Sequence, residues 1–105
     1  MLAERSGVPR TVALDALLNS VAASPAMKYR APFMLKMPDE VWFSAEMMKK
    51  DIQLALELGK DTGVALNTVR LVDDLLDKAI AMGWGKEDFA ALYRVVEHLS
   101  VEHKV

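Results

Sequence analysis

Cysteine is absent from this 105-residue chain, and aromatic residues make up only 7% of it. The lack of thiols excludes disulfides, thiolate metal sites and a cysteine nucleophile. Neither sign of charge dominates, since the chain has 15 Asp plus Glu and 13 Lys plus Arg, and its net charge is -2. Such a chain lacks the basic surplus typical of proteins that bind nucleic acid or anionic lipid, so we expect neither partner.

Long apolar runs are also missing, because none approaches the roughly 20 residues needed to cross a bilayer. The N-terminal residues MLAERSG have neither the basic flank nor the apolar centre of a signal peptide, so we expect a cytoplasmic protein. The glycines match neither a phosphate-binding P-loop nor the dinucleotide fingerprint. His98 and His103 are five residues apart, which does not place them on one helix face, so we predict no metal site.

Helical periodicity dominates what is present, and no alternating strand pattern occurs. Together with an apolar content of 52%, it predicts an all-α, single-domain bundle of about five to six helices over residues 1–105. Gly7 follows what reads as the last turn of a helix, so we expect Met1 to Ser6 to be the tail of a longer one. The remaining helices are predicted over residues 11–21, 25–35, 44–62, from about 67 to 82, and after the segment GWGKED.

Capping residues and apolar stripes define these helices further. Ser44 is expected to cap the helix over residues 44–62, and Gly63 is expected to end it. Asn67 or Thr68 is expected to cap the helix that follows. The run from Ser44 to Thr62 is apolar on most sides, which predicts the central helix of the bundle. The last helix is predicted to bury one stripe, which comprises Phe89, Leu92, Val96 and Leu99.

Three charged residues interrupt that apolar run, in the stretch FSAEMMKKDIQLALELG. Consecutive helical residues diverge by about 100°, so Lys49, Lys50 and Asp51 do not share one solvated strip. One interpretation is that the lysine stems cover apolar surface, their ammonium groups reach water and Asp51 pairs locally. The alternative is a pair of opposite charges at the edge of a cleft that holds an anionic ligand.

The stretches FSAEMMKKDIQLALELGKDTGV and LVDDLLDKAIAMGWGKEDFAALYRVVE resemble the C-terminal helical domain of the β-hydroxyacid dehydrogenases. This family includes 3-hydroxyisobutyrate dehydrogenase, tartronate semialdehyde reductase and glyoxylate/succinic semialdehyde reductase. The resemblance covers nearly the whole chain and implies a helical domain like the C-terminal one of 6-phosphogluconate dehydrogenase. In the family, a Rossmann domain binds NAD(P), and the helical domain closes the active site and supplies much of the oligomer interface.

The resemblance also implies roles for individual residues. Lys50 and Asp51 match the family's Lys-Asp pair at the cofactor and substrate cleft, and Phe43 matches an aromatic residue that lines the pocket. Lys49 has no such role and is expected to be solvent cover. The Gly-rich cofactor loop and the catalytic lysine would lie before Met1, so none of the residues here is expected to be catalytic.

Two hypotheses about function follow. The first is the C-terminal substrate-cleft and oligomerisation domain of an NAD(P)-dependent 3-hydroxyisobutyrate dehydrogenase-like enzyme. Its partners would be the missing Rossmann domain, a small hydroxy acid and other copies of the chain, and alone it would bind no cofactor and have no turnover. The second is a non-catalytic helical module that self-associates or docks onto a partner. A helix-turn-helix DNA-binding protein is disfavoured because the last helix carries few basic residues.

Overall fold

The computed structural model describes residues 1–102, and His103 lies outside them. The described chain is all-α, as predicted, with six α-helices, two short 3₁₀ turns and no strand. None of these helices is both long enough and apolar enough to cross a membrane. The α-helices are α1 (Leu2–Arg5), α2 (Arg10–Leu18), α3 (Pro25–Arg30), α4 (Ala45–Thr62), α5 (Asn67–Ala81) and α6 (Leu92–Glu102), and the 3₁₀ turns are Ala31–Met34 and Phe89–Ala91.

Local sequence rules set several helix ends. The Ser44 hydroxyl accepts the Met47 N–H at 3.2 Å and caps α4 as predicted, and the Ser24 hydroxyl accepts the Met27 N–H and caps α3. Gly63 ends α4 with a φ of 71°, in the left-handed region that glycine adopts without steric cost. The cap predicted for α5 is wrong, because Asn67 already lies within the helix and Leu66 precedes it without a side-chain cap.

The chain divides into two compact units, which the sequence pattern does not predict. The first, Met1–Met37, contains α1 to α3 and the first 3₁₀ turn. Arg10 links its parts, because its guanidinium pairs with Glu4 at 2.8 Å and donates to the Met34 carbonyl at 3.0 Å. Ala31 is the one buried residue of this unit, so each of the unit's larger apolar side chains keeps some contact with solvent.

The second unit starts at Pro38 and contains α4, α5 and α6. Its core is formed by four fully buried residues, which are Ala45, Leu76, Ala79 and Val95. Partly buried apolar side chains from the three helices and from the loop between α5 and α6 surround them. Two small alanines at the centre allow the helices to approach closely, and α4 lies against α5 along much of its length.

One prediction about packing is wrong, and another is right only in part. α4 is not a central helix within this unit, because only Ala45 and Gly59 of its residues are buried. Of the stripe predicted for the last helix, Phe89, Leu92 and Leu99 do pack against the core. The fully buried residue of α6 is Val95, however, and Val96 is 39% exposed. The 3₁₀ turn before α6 explains this difference, because a 3₁₀ turn advances by about 120° per residue and shifts the phase of a stripe counted from Phe89.

Candidate functional site

Helix α4 has two faces on opposite sides of its axis. The packed face includes Ala45, Met48 and Ile52, which contribute to the core. The other side, here called the outer face of α4, comprises Met47, Lys50, Asp51, Leu54 and Leu58. At about 100° per residue these five positions fall within an arc of about 100°. Its three apolar members are 56%, 58% and 64% exposed, so this face is uncovered within the unit.

Lys50 and Asp51 lie next to each other on the outer face, and both side chains are exposed. Neither forms a hydrogen bond or ion pair with another described residue. The expected local pairing of Asp51 therefore does not occur among these residues. An ammonium group and a carboxylate remain available, within an apolar surround, to a ligand that approaches this side of the helix.

The side chain of Lys49 points toward α5 and not toward the outer face, so the expectation that it is solvent cover is wrong. Its ammonium group donates to Asp73 Oδ1 at 2.9 Å and lies 2.7 Å from Asp77 Oδ1, both on α5. Gln53, one turn further along α4, donates to the same Asp73 oxygen at 2.8 Å. Asp73 is buried. This network ties α4 to α5.

The network shifts the pKa of both charged partners. Burial of Asp73 raises its pKa, but the hydrogen bonds from Lys49 and Gln53 lower it by more, so the net pKa lies below its usual value. Burial lowers the pKa of Lys49, but its bonds to Asp77 and Asp73 outweigh this effect and the net pKa is raised. Both groups therefore remain charged near neutral pH.

Carboxylate oxygens of Asp73, Asp74 and Asp77 lie within 4.8 Å of one another, a spacing that a metal ion could use. Two of these three carboxylates already bind the Lys49 ammonium group. The cluster is therefore accounted for by a salt bridge between two helices.

Phe43 comes just before the cap of α4 and is half-buried. Its ring meets the ring of Phe89 edge to face, with centroids 6.1 Å apart and an angle of 84°. Its carbonyl accepts the Phe89 N–H at 2.9 Å, and Ser44 and Asp88 form an isolated antiparallel bridge beside it. Lys50 lies about 9 Å further along the helix than Ser44, at about 1.5 Å rise per residue.

Asp88 is the residue near Phe43 that sequence reasoning missed. It is only 1% exposed, and its Oδ2 accepts the N–H groups of Trp42 and Phe43 at 3.2 Å each. Its Oδ1 accepts the Ala90 N–H at 2.9 Å and caps the second 3₁₀ turn. An aspartate directly before a turn signals the cap, but nothing local signals partners 45 and 46 residues away.

A shallow groove of about 550 Å³ lies at the junction of α4 and α5, away from the outer face. Glu57, Lys60 and Arg70 supply its charges, and Leu56, Val64 and Leu66 supply its apolar lining. It contains neither Phe43 nor the Lys50–Asp51 pair, so it does not mark the predicted site.

Comparisons with known proteins identify the chain's relatives. The family model described as the NAD-binding part of NADP-dependent 3-hydroxyisobutyrate dehydrogenase matches residues 1–96. Glyoxylate/succinic semialdehyde reductase 1 of Arabidopsis thaliana is 30% identical over 97 residues, which are 92% of this chain and 34% of that protein. The 2-(hydroxymethyl)glutarate dehydrogenase of Eubacterium barkeri is 34% identical over 58 residues, 55% of this chain and 19% of that protein.

A solved structure has the same fold. It is the 3-hydroxyisobutyrate dehydrogenase of Salmonella typhimurium, with a TM-score of 0.81 and 22% identity, over 90% of this chain and 33% of that one. The chain thus spans about a third of the length of the longer relatives that it matches most fully. Since the family model covers nearly all of it, the chain belongs to the 3-hydroxyisobutyrate dehydrogenase family.

Proposed function

We propose that this chain acts as the C-terminal helical domain of an NAD(P)-dependent β-hydroxyacid dehydrogenase and forms one wall of its active-site cleft. A dinucleotide-binding Rossmann domain is built on a parallel sheet with a Gly-rich first loop. The described residues contain no strand, and the sequence contains no such loop. The main cofactor contacts would therefore come from a separate Rossmann domain, which is the partner that this proposal requires.

The observation that carries the proposal is the composition of the outer face of α4. An isolated helical unit gains stability by turning its large apolar side chains inward, yet here Met47, Leu54 and Leu58 face outward around Lys50 and Asp51. Contiguous exposed apolar surface rimmed by polar groups is typical of an interaction site or a ligand cleft. A cofactor-binding domain that closes over this face would cover the apolar groups and enclose the two charges.

The three residues then have distinct tasks. The Lys50 ammonium group can attract the carboxylate of a small hydroxy acid or a phosphate of NAD or NADP. The Asp51 carboxylate can accept a hydrogen bond from a hydroxyl or amide of the bound molecules. Phe43, held against Phe89, would give the pocket an apolar wall. Hydride transfer also needs a positioned nicotinamide and a general acid/base, which this chain is not expected to supply, so it should have no turnover alone.

A chimera tests the proposal. This chain replaces the segment of the Arabidopsis reductase that aligns with it, and glyoxylate-dependent oxidation of the reduced cofactor is measured. Lys50→Met and Asp51→Asn should each lower kcat/KM about tenfold or more, the effect of losing one charge-assisted hydrogen bond. Lys60→Met is the matched control, since Lys60 is an exposed lysine of α4 that lies outside the outer face.

Two results would contradict the proposal. One is an active chimera in which the Lys50 and Asp51 variants behave like the Lys60 variant. The other is oxidation of NADH or NADPH by the isolated chain with a semialdehyde substrate.

The second candidate function is a helical module that associates with further copies of itself. The first unit favours it, because many of its apolar side chains are exposed and its only buried residue is an alanine. These exposed side chains include Leu2, Val12, Leu17, Val21 and Tyr29. Light scattering over a wide concentration range tests this function, and a monomer at every concentration would refute it. Both functions hold together if the dehydrogenase is a homo-oligomer.

A further inference from the structure

The Asp88 carboxylate is buried more completely than its apparent task requires. Removing a charged group from water is strongly unfavourable unless hydrogen bonds replace its hydration. At 1% exposure, Asp88 has three backbone N–H groups around it, those of Trp42, Phe43 and Ala90. A cap for a three-residue 3₁₀ turn needs only the bond to Ala90.

The other two bonds connect distant parts of the chain. They attach the loop before α4 to the loop before α6, through a single oxygen atom, Oδ2. Phe43 is at the centre of this attachment, since its N–H binds Asp88, its carbonyl binds the Phe89 N–H, and its ring packs on the Phe89 ring. Two residues further on, the Ala45 N–H donates to the Glu87 carbonyl at 2.9 Å.

We propose that Asp88 is a positioning residue that fixes Phe43 at the mouth of the cleft by holding the N–H groups of Trp42 and Phe43. Without those bonds the Phe43 carbonyl and ring would still contact Phe89, but the Phe43 N–H would lose its acceptor. Losing the bonds to Asp88 would therefore loosen the backbone at Phe43 and allow its ring to move away from the cleft wall. The role in the cleft rests on the proposed function, but the restraint on Phe43 does not.

The variant Asp88→Ser separates the two tasks of the carboxylate. A serine hydroxyl can still accept the Ala90 N–H and cap the 3₁₀ turn. Its single oxygen on a shorter side chain cannot at the same time accept the N–H groups of Trp42 and Phe43. Asp88→Asn is a second variant, because it keeps the size of the side chain and presents an NH₂ group in place of one acceptor. Glu87→Gln is the matched control, since its carboxylate lies on the neighbouring residue and pairs with Arg94.

Amide hydrogen exchange of the whole chain, followed by NMR, is the test. In the unsubstituted protein the Trp42 and Phe43 amides should exchange at least about tenfold more slowly than in an unstructured peptide. Asp88→Ser should abolish that protection and preserve protection at Ala90, with Leu76 reporting global stability. Glu87→Gln should leave Trp42 and Phe43 unchanged.

The proposal is overturned if the Trp42 and Phe43 amides exchange freely in the unsubstituted protein. It is also overturned if these two amides stay protected from exchange in both Asp88→Ser and Asp88→Asn. Should either variant fail to fold, the unsubstituted protein and the other variant still decide the matter. In the chimera, Asp88→Ser should lower kcat/KM about as much as Phe43→Ala, and combining the two should add little. If Phe43→Ala has no effect there while the exchange results hold, the cleft function fails and the restraint stands.

Discussion

Replacing Lys49 by Met should destabilise the chain far more than the same change at its neighbour Lys50. Lysine and methionine have similar helix propensities and stem lengths, so the substitution mainly removes the charge. At position 49 it removes an ammonium group that is hydrogen-bonded to Asp73 and close to Asp77. At position 50 it removes a charge with no partner among the described residues.

The magnitude follows from the exposure of the two carboxylates. Asp77 is 56% exposed, so its pairing with Lys49 is screened by solvent and contributes about 0.2–1 kcal/mol. Asp73 is 12% exposed at its side chain, and losing a hydrogen bond to such a charged group costs about 1.5–3 kcal/mol. Lys49 itself is 24% exposed, which favours the lower part of that range. We therefore expect Lys49→Met to cost about 2 kcal/mol and Lys50→Met less than about 0.5 kcal/mol.

Urea unfolding followed by far-UV circular dichroism measures both free energies. A double-mutant cycle with Asp73→Asn isolates the pair, and a coupling of about 1–2 kcal/mol is expected because the residues are in direct contact. Equal stabilities for the Lys49 and Lys50 variants, or a coupling close to zero, would refute the reasoning. Such a result would mean that α4 is oriented on α5 by its apolar contacts alone.

The remaining predictions concern other contacts of the second unit and can be measured in the same way. The pKa of Asp73 in the folded protein lies below its unfolded value of about 3.9, so its contribution to the free energy of unfolding is present above that pH. This contribution should be lost as the pH falls through the folded pKa, and the Asp73→Asn variant should not show the loss. The pKa of Lys49 is raised in the folded protein, so its contribution to stability should be lost as the pH rises above the unfolded value of about 10.4 and through the folded pKa. The Lys49→Met variant should not show this loss. Gly59→Ala should destabilise by about 1 kcal/mol despite alanine's better helix propensity, because its Cβ would lie 2.6 Å from Leu66 Cδ1 and 3.1 Å from the Val64 carbonyl oxygen. Ser44→Ala should cost about 1 kcal/mol by removing the cap of α4, and an unchanged midpoint would contradict that role.

The parts of the fold that depend on neighbouring residues can be predicted from the sequence. Ser44 caps α4, and Gly7 and Gly63 have positive φ angles just after helix ends, as their positions indicated. Each of these features is decided within about four residues, by one hydrogen bond or one steric preference. The all-α class follows from the same local information.

The polar contacts within the second unit could not be predicted, because they join residues far apart in the chain. Lys49 and Asp73 are separated by 24 positions, and their pairing depends on how α4 and α5 are rotated against each other. That rotation is set by packing at Ala45, Leu76 and Ala79, whose partners no local pattern identifies. Asp88 follows the same rule, since only its bond to Ala90 is local.

The excess of apolar residues in α4 fits the proposed function, in which this helix has two partners. An amphipathic helix that packs on one side needs an apolar stripe of little more than 100°, and the sequence of α4 exceeds this. Its packed face uses small residues at Ala45 and Gly59, which bring α5 and the Val64–Leu66 segment close, whereas the larger Met47, Leu54 and Leu58 are left outside. The stability of this unit alone does not require that distribution, because polar residues at the outer positions would leave the core unchanged. The proposed closure of the outer face against a cofactor domain does require it, and the same closure would account for Lys50 and Asp51, which have no partner among the described residues.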